Sequence, residues 1–244
     1  MEDIKGIILA GGLGTRLSPL TKITNKHLLP IYDQPMIFHP LKRLVEAGIT
    51  DILIVTGGQH AGEFLRLLGD GSQFGLKRIN YTYQEGEGGI AQALGLARHF
   101  ADGKRMVVIL GDNIFEKSLK PYVDRFRKQK KGARVLLKKV HDPQRFGVAD
   151  LNGAHIAGIE EKPAKPRSKL AVTGVYMYDE NVFEIVKNLK PSRRGELEIT
   201  DVNNAYVRSN ALEYDVLSGW WTDSGTFDSL LHANVLVAKQ RGKK

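Results

Sequence analysis

The chain has 244 residues, 42% hydrophobic and 26% charged, which suits one large soluble domain, and no apolar run approaches the roughly 20 residues a membrane span needs. It has no cysteine, which excludes disulfides, thiolate zinc sites and a cysteine nucleophile and leaves only oxygen or imidazole to hold a metal. The net charge of +9 fits solvated helix faces and tails or an enzyme acting on phosphorylated substrates. A nucleic-acid surface would need aromatic or base-reading residues among the charges, and in Arg125–Arg134 only Phe126 is available, spaced from Val123 as on a buried helix face. Acidic Glu2 and Asp3 ahead of a short apolar run do not resemble a signal peptide, so a cytoplasmic location is expected.

In chain order, the first apolar run, Ile7–Ala10, is short enough for a buried strand and breaks at Gly11, Gly12 and Gly14, with Arg16 and Lys26 following. Ile37, Leu41, Leu44 and Val45 recur at helical spacing, DILIVTG is a buried strand, Phe64–Leu68 belongs to a helix, and Ile79–Gln84 alternates as a strand. Ile90–Phe100 reads as one helix and Met106–Leu110 as another buried strand. Repeated βα units imply an α/β fold, a Rossmann-like three-layer sandwich whose central sheet is mostly parallel or mixed. After Lys139, short segments at 147–149, 155–159 and 172–178 alternate like antiparallel or edge strands. Helices over 182–189 and 199–207 and a strand near 212–217 follow. The last helix shows Phe227, Leu230, Leu231, Val235 and Ala238 on one face. One domain over 1–244 is expected, with a first half at about 1–140 and a substrate-binding elaboration at about 141–244.

Glycines permit positive φ and close backbone approach, so residues 11–14 form a cradle in which N–H groups can converge on an anion. The loop is neither of the two common glycine-rich motifs. The frame beginning at Gly12 lacks the third glycine of a dinucleotide fingerprint, and Arg16-Leu17-Ser18 stands where a Walker loop needs Gly-Lys-Ser/Thr. Ligands of open parallel sheets bind beyond the carboxyl ends of strands, and Gly11–Arg16, the QEGEGG loop from Gln84 and Gly111-Asp112-Asn113 all sit at such ends. Asp112 and Asp223 can serve as turn and cap residues or as oxygen ligands for magnesium. The seven histidines show no zinc-ligand spacing.

LAGGLGTRLSPLT followed by Lys26 and LLP resembles the signature of the sugar-1-phosphate nucleotidyltransferases. LGDN, RFGVA, EEKP, AVTGVYMYD, GELEITDVN and WTDSGT, in that order, are similar specifically to the glucose-1-phosphate thymidylyltransferases, and the likeness covers essentially the whole chain. The resemblance implies that Leu9, Gly11, Gly12 and Gly14 line the nucleoside triphosphate, with Arg16 on the departing pyrophosphate and Lys26 on the reacting phosphates. It places Gln84 on the pyrimidine edge, Gly89 where the base nears the backbone, and Asp112 and Asp223 as ligands of Mg²⁺. For the sugar phosphate it implies Glu161 on the glucose hydroxyls, Gly147 and Val172 along the ring, Lys162 and Arg194 on the phosphate, Trp221 as a wall, and Asp112 at the edge of the same subsite. Arg16, Lys26 and Lys162 would be the catalytic cations.

Asn25 departs from the proline that many superfamily members carry, His27 from the glutamine of longer thymidylyltransferases, and Glu85 and Glu87 from their prolines. Longer members also continue past the helix containing Leu230. The implied partners are dTTP and glucose 1-phosphate, giving dTDP-glucose and pyrophosphate in a homo-oligomer, without nucleic acid or membrane. Thymine differs from uracil by one methyl, worth about 1 kcal/mol, so a uridylyl- or cytidylyltransferase is the alternative within the class. A nucleotide-sugar sensor is the alternative outside it.

Overall fold

The computed structural model describes residues 4–242; Glu2 and Asp3 and the last two lysines of the terminal RGKK lie outside the described residues. The first half runs β1 (Lys5–Ala10), β2 (Pro30–Ile31), β3 (Gln34–Pro35), α1 (Phe38–Glu46), β4 (Asp51–Gly57), α2 (Ala61–Leu68), β5 (Arg78–Gln84), α3 (Ile90–Gly95), α4 (Arg98–Ala101), β6 (Met106–Leu110), β7 (Asn113–Phe115) and α5 (Lys120–Lys128). It continues with β8 (Ala133–Lys139), β9 (Gly147–Asn152), β10 (His155–Glu161), β11 (Leu170–Tyr178), α6 (Val182–Lys187), α7 (Ile199–Arg208), β12 (Leu212–Val216), β13 (Trp221–Asp223) and α8 (Phe227–Arg241). The fold class is α/β with a mixed central sheet, as the alternation of patterns predicts. The chain divides into two compact units assembled from interleaved segments.

One unit comprises Lys5–Glu87, Ile109–Pro121 and Gly219 onward. Its β1, β4 and β5 are parallel, and every residue of β1 and β4 is buried, as expected for strands covered on both faces. At their amino ends Lys5 and Asp51 form a buried ion pair that Arg78 joins at 2.6 Å, so the three strands start in register. At their carboxyl ends, Ala10 lies opposite Thr56 and Gly57 opposite Gln84, which delivers the glycine loop and Gln84 to the same edge. The short ribbon of β7 and β13 pairs Asn113 with Asp223 and Phe115 with Trp221.

The other unit comprises Ile4, Gly88–Val108 and Tyr122–Ser218. Its strands run in the order β10-β9-β11-β8-β12, antiparallel except for the parallel β8–β12 pair. Helix α7 buries Ile199, Val202 and Tyr206, and Asn204 clamps β10 by accepting from the Ile159 N–H (2.9 Å) and donating to its carbonyl (2.8 Å). That double bond fixes the strand two residues before Glu161.

Three expectations need correction. The predicted helix over 90–100 is two helices, α3 and α4, separated by Leu96 and Ala97. The basic run ending at Arg134 is not wholly solvated, because Arg134 on β8 is buried between Glu213 and Asp215 of β12. On α8 the apolar stripe read from the sequence is not the buried one: Ser229, Ala233 and Val237 are buried, while Phe227, Leu231 and Val235 are exposed. Small residues face inward there because the core formed by Leu17, Leu29, Ile31, Met36 and Ile114 leaves room for alanine and valine.

Candidate active site

The sequence-predicted residues fall into two clusters, one in each unit. In the first, Leu17 is fully buried in the core just described and anchors the one-turn helix Thr15–Leu17, leaving its neighbour Arg16 at the surface. Gly14 has φ 68°, and a Cβ there would stand 2.9 Å from the Lys26 Cβ, so the turn needs glycine on both counts. A Cβ on Gly11 would come within 2.5 Å of the Gln84 side-chain oxygen, and one on Gly12 within 3.9 Å of Lys26. The fold thus brings together Gly11, Gly12, Gly14, Lys26 and Gln84, with buried Leu9 at the end of β1 beneath them.

Lys26 Nζ donates to Asp112 Oδ2 at 2.6 Å, with both side chains largely buried. Asn113 Nδ2 donates to the other oxygen, Asp112 Oδ1, at 2.9 Å, while Asn113 Oδ1 accepts from Trp221 Nε1–H at 2.7 Å. The indole can only donate and the carboxylate can only accept, so the amide has one orientation. Burial pushes the Asp112 carboxyl up, but Lys26, His27 and the bond from Asn113 outweigh it and hold the group well below the usual carboxylate range. Asp112 is therefore ionised at neutral pH. Asp223 faces Asn113 across the β7–β13 ribbon, and a Cβ on Gly225 would lie 3.4 Å from Asp223 Oδ2 and 3.1 Å from Arg16 Nη2. Arg16, Asp112, Asp223 and Lys26 thus converge from three distant stretches of sequence.

His27, beside Lys26, is buried. Burial first, then the Lys26 ammonium, lowers its pKa to about 3 against the opposing pull of Asp112, so the ring is neutral. Asn25 Oδ1 accepts from both the His27 backbone N–H (3.0 Å) and Nδ1 (2.7 Å), which puts the ring proton on Nδ1. Asn25 also caps the turn Lys26–Leu28 that carries the lysine.

The second cluster gathers around Glu161 at the end of β10. Gly147 is its register partner on β9, and a Cβ there would sit 3.4 Å from Glu161 Oε2 and 3.3 Å from Thr200 Oγ1. Thr200 donates to Glu161 Oε2 at 2.6 Å. Lys162 follows with φ 45°, a left-handed conformation that costs a non-glycine residue about 1 kcal/mol or more, and its Nζ is 3.6 Å from Glu161. Arg194 makes a two-pronged contact with Glu198 (2.8–3.1 Å) and lies 3.4 Å from Glu196 and 3.8 Å from Glu161. The bond to Glu198 raises the Arg194 pKa, and burial only partly opposes it. Val172 sits where β11 loses register with β8, between Val172 and Tyr176. Gly89 has φ 94° and meets the Leu197 backbone so closely that a Cβ would stand 2.6 Å from its carbonyl oxygen.

Gln84 and Trp221 thus belong to the unit of the glycine loop, while Gly89 belongs to the unit of Glu161. Sequence reasoning did not single out Asn113, Thr200 or Glu198, although LGDN and GELEITDVN contain them. Their roles depend on partners that spacing does not reveal.

The model of the nucleotidyl transferase family matches residues 5–240. The chain belongs to the nucleotidyl transferase family. Within that family, a protein of Neisseria meningitidis serogroup A named glucose-1-phosphate thymidylyltransferase is 46% identical over 238 residues, covering 96% of this chain and 82% of the relative. A solved Bacillus anthracis structure, provisionally named a glucose-1-phosphate thymidylyltransferase and in complex with a sucrose, shares 56% identity at a TM-score of 0.92, covering 96% of this chain and 94% of that one. A UDP-glucose pyrophosphorylase complexed with UDP-glucose has the same fold, with a TM-score of 0.86 at 24% identity over 98% of this nucleotidyltransferase and all of that chain. The resemblance read from the motifs agrees with these relatives.

Proposed function

We propose that the chain transfers a thymidylyl group from dTTP to glucose 1-phosphate, releasing pyrophosphate. The observation that carries this reading is the set of relatives bearing that name at 44–47% identity across nearly the whole chain. The chemistry of the two clusters supports it. A sugar-phosphate oxygen, already anionic near neutral pH, attacks the α-phosphorus in line, so cations rather than a general base are required. Gly11, Gly12 and Gly14 cradle the triphosphate, Arg16 and Lys26 bear on its phosphates, and Gln84 reads the pyrimidine edge. Glu161, oriented by Thr200, accepts from sugar hydroxyls over the open backbone of Gly147, beside Val172. Lys162 and Arg194 balance the sugar phosphate's charge, Trp221 walls the sugar, and Gly89 permits close approach of the base.

Among the described residues no group of three acidic, histidine or cysteine side chains forms a cage for a metal. An ionised Asp112 and a second carboxylate, Asp223, beside its neighbour Asn113 suit a hard cation such as Mg²⁺, which keeps waters and shares substrate phosphates. Asp112 and Asp223 would hold the ion, which when bound supplies positive charge to the phosphates. Lys26 now occupies one Asp112 oxygen, so binding exchanges that ammonium from the carboxylate to the phosphates.

We also infer a homo-oligomer working in the cytoplasm. Among the described residues no helix is long and apolar enough to cross a membrane. Pyrophosphate release measured across nucleoside triphosphates and sugar 1-phosphates, with and without Mg²⁺, tests the reading. Sugar-dependent release is expected to be greatest with dTTP and glucose 1-phosphate. Greater release with UTP or CTP would move the assignment within the family, and none with any pair would overturn it.

A further inference from the structure

A lysine stem is flexible, so where Nζ can reach is decided by how its backbone is held. Lys26 is held from both sides. Asn25 and His27 are 6% and 2% exposed, deep burial for two polar side chains. Asn25 Oδ1 accepts from the His27 N–H at 3.0 Å and from Nδ1 at 2.7 Å, bridging over Lys26. The backbone is tied on both flanks as well: the Leu28 N–H donates to the Asn25 carbonyl at 2.9 Å and the Ile37 N–H to the His27 carbonyl at 2.8 Å. The stem of Lys26 lies along Gly14, where a Cβ would come within 2.9 Å of its Cβ and 3.2 Å of its Cδ.

The imidazole also reaches the residue before Asp112. A Cβ on Gly111 would stand 2.7 Å from His27 Cδ2 and 3.2 Å from Nε2, so the ring occupies the place a side chain at 111 would take. Gly111 is fixed in turn, its N–H donating to the Leu9 carbonyl at 2.8 Å. One ring thus separates the turn that carries the lysine from the strand end that carries its carboxylate partner. Packing alone would be served by leucine. A polar pair buried this far costs free energy unless its bonds are made, and here the acceptor is used twice. We propose that Asn25 and His27 form one positioning unit: the bonded imidazole is a spacer that sets the Lys26 backbone against Asp112, so the ammonium exchanges between carboxylate and phosphate by a swing of the side chain about a fixed Cα. Both act through Lys26, and neither touches a reacting atom. The exchange rests on the reaction proposed above, whereas the spacing does not.

Two measurements on the full chain test it, one of them free of the substrates. Initial rates with dTTP and glucose 1-phosphate should show kcat lowered about tenfold or more in Asn25→Ala and in His27→Leu, with KM for both substrates within about twofold of the parent. Because the pair acts as one unit, the double variant should be no slower than the slower single. Acylation of Lys26 by an amine-reactive ester, followed by peptide mass spectrometry, should be slow in the parent, whose Lys26 side chain is 12% exposed and paired, and about threefold or more faster in both variants. Variants that turn over and label like the parent while merely melting lower would show a structural role and overturn the inference, as would additive losses in the double variant. Should His27→Leu not fold, Asn25→Ala, which removes only an amide, decides the matter by the same two readouts. Absence of turnover with every substrate pair would overturn the reaction proposed above, and the acylation rates would then decide the spacing.

Discussion

The two charged clusters solve different electrostatic problems. Around Lys26 and Asp112 one cation meets one carboxylate at 2.6 Å, with side-chain exposures of only 12% and 15%. Around Arg194 one cation meets three carboxylates and is 43% exposed, with Lys162 49% exposed beside them. A buried one-to-one pair is balanced and costly to leave half-made, so under the proposed function it acts as a latch: a phosphate that took the ammonium would leave the carboxylate needing another cation. The open cluster has spare acceptors and is screened by water, so each member matters less.

Breaking the latch should have the largest effect. Asp112→Asn removes a carboxylate proposed as a metal ligand and is expected to cut turnover roughly 10²-fold or more, with circular dichroism unchanged and the Mg²⁺ requirement raised. Parental turnover at limiting Mg²⁺ would remove Asp112 from the machinery. The same unit should also be the acid-sensitive one. Burial, then Lys42 and Arg43, lowers the His39 pKa to about 4 from an ordinary 6.5. The unfolded ring takes up a proton below pH 6.5 while the folded ring stays neutral, so this stability is present above pH 6.5 and is lost as pH falls toward about 4. With allowance for partial exposure, it amounts to about 2 kcal/mol. Denaturant titrations of His39→Gln should show a shallower acid limb over that window; equal slopes in the two proteins would refute the link.

On the open side, Lys162→Ala should raise KM for the sugar phosphate about tenfold while leaving that for the nucleotide near its parental value. An equal rise in both would place Lys162 on the nucleotide instead. Arg194→Ala should show the smallest effect, about 1 kcal/mol in thermal stability, because it leaves Glu198, whose side chain is 11% exposed, without its two-pronged partner. A loss of turnover as great as that of Asp112→Asn would show that the clusters are not graded in this way.

Much of the site was legible because its residues carry local signals. The glycines, Arg16 and Lys26 lie within one loop, and Glu161-Lys162 ends a strand whose alternation is plain. What spacing could not show was commitment. The resemblance gave Arg194 only a place on the sugar phosphate, yet it is bound to Glu198, four positions later. Asn113 carries no signal beyond its place after Asp112, yet it links Asp112 to Trp221, more than a hundred positions later. The stripe on α8 was visible, but periodicity cannot say which of two faces meets the core, and there the smaller side chains did so.

By itself the sequence determined the alternation of strands and helices, the glycine loop and the ordered motifs, because apolar period, glycine placement and charge are properties of neighbouring residues. Only the tertiary structure decided that Asp223 faces Asn113 across a two-strand ribbon, that the interleaved segments form two compact units, and that Lys26 is held by Asp112. These depend on contacts between distant stretches, fixed by strand register and by the buried cores that set it.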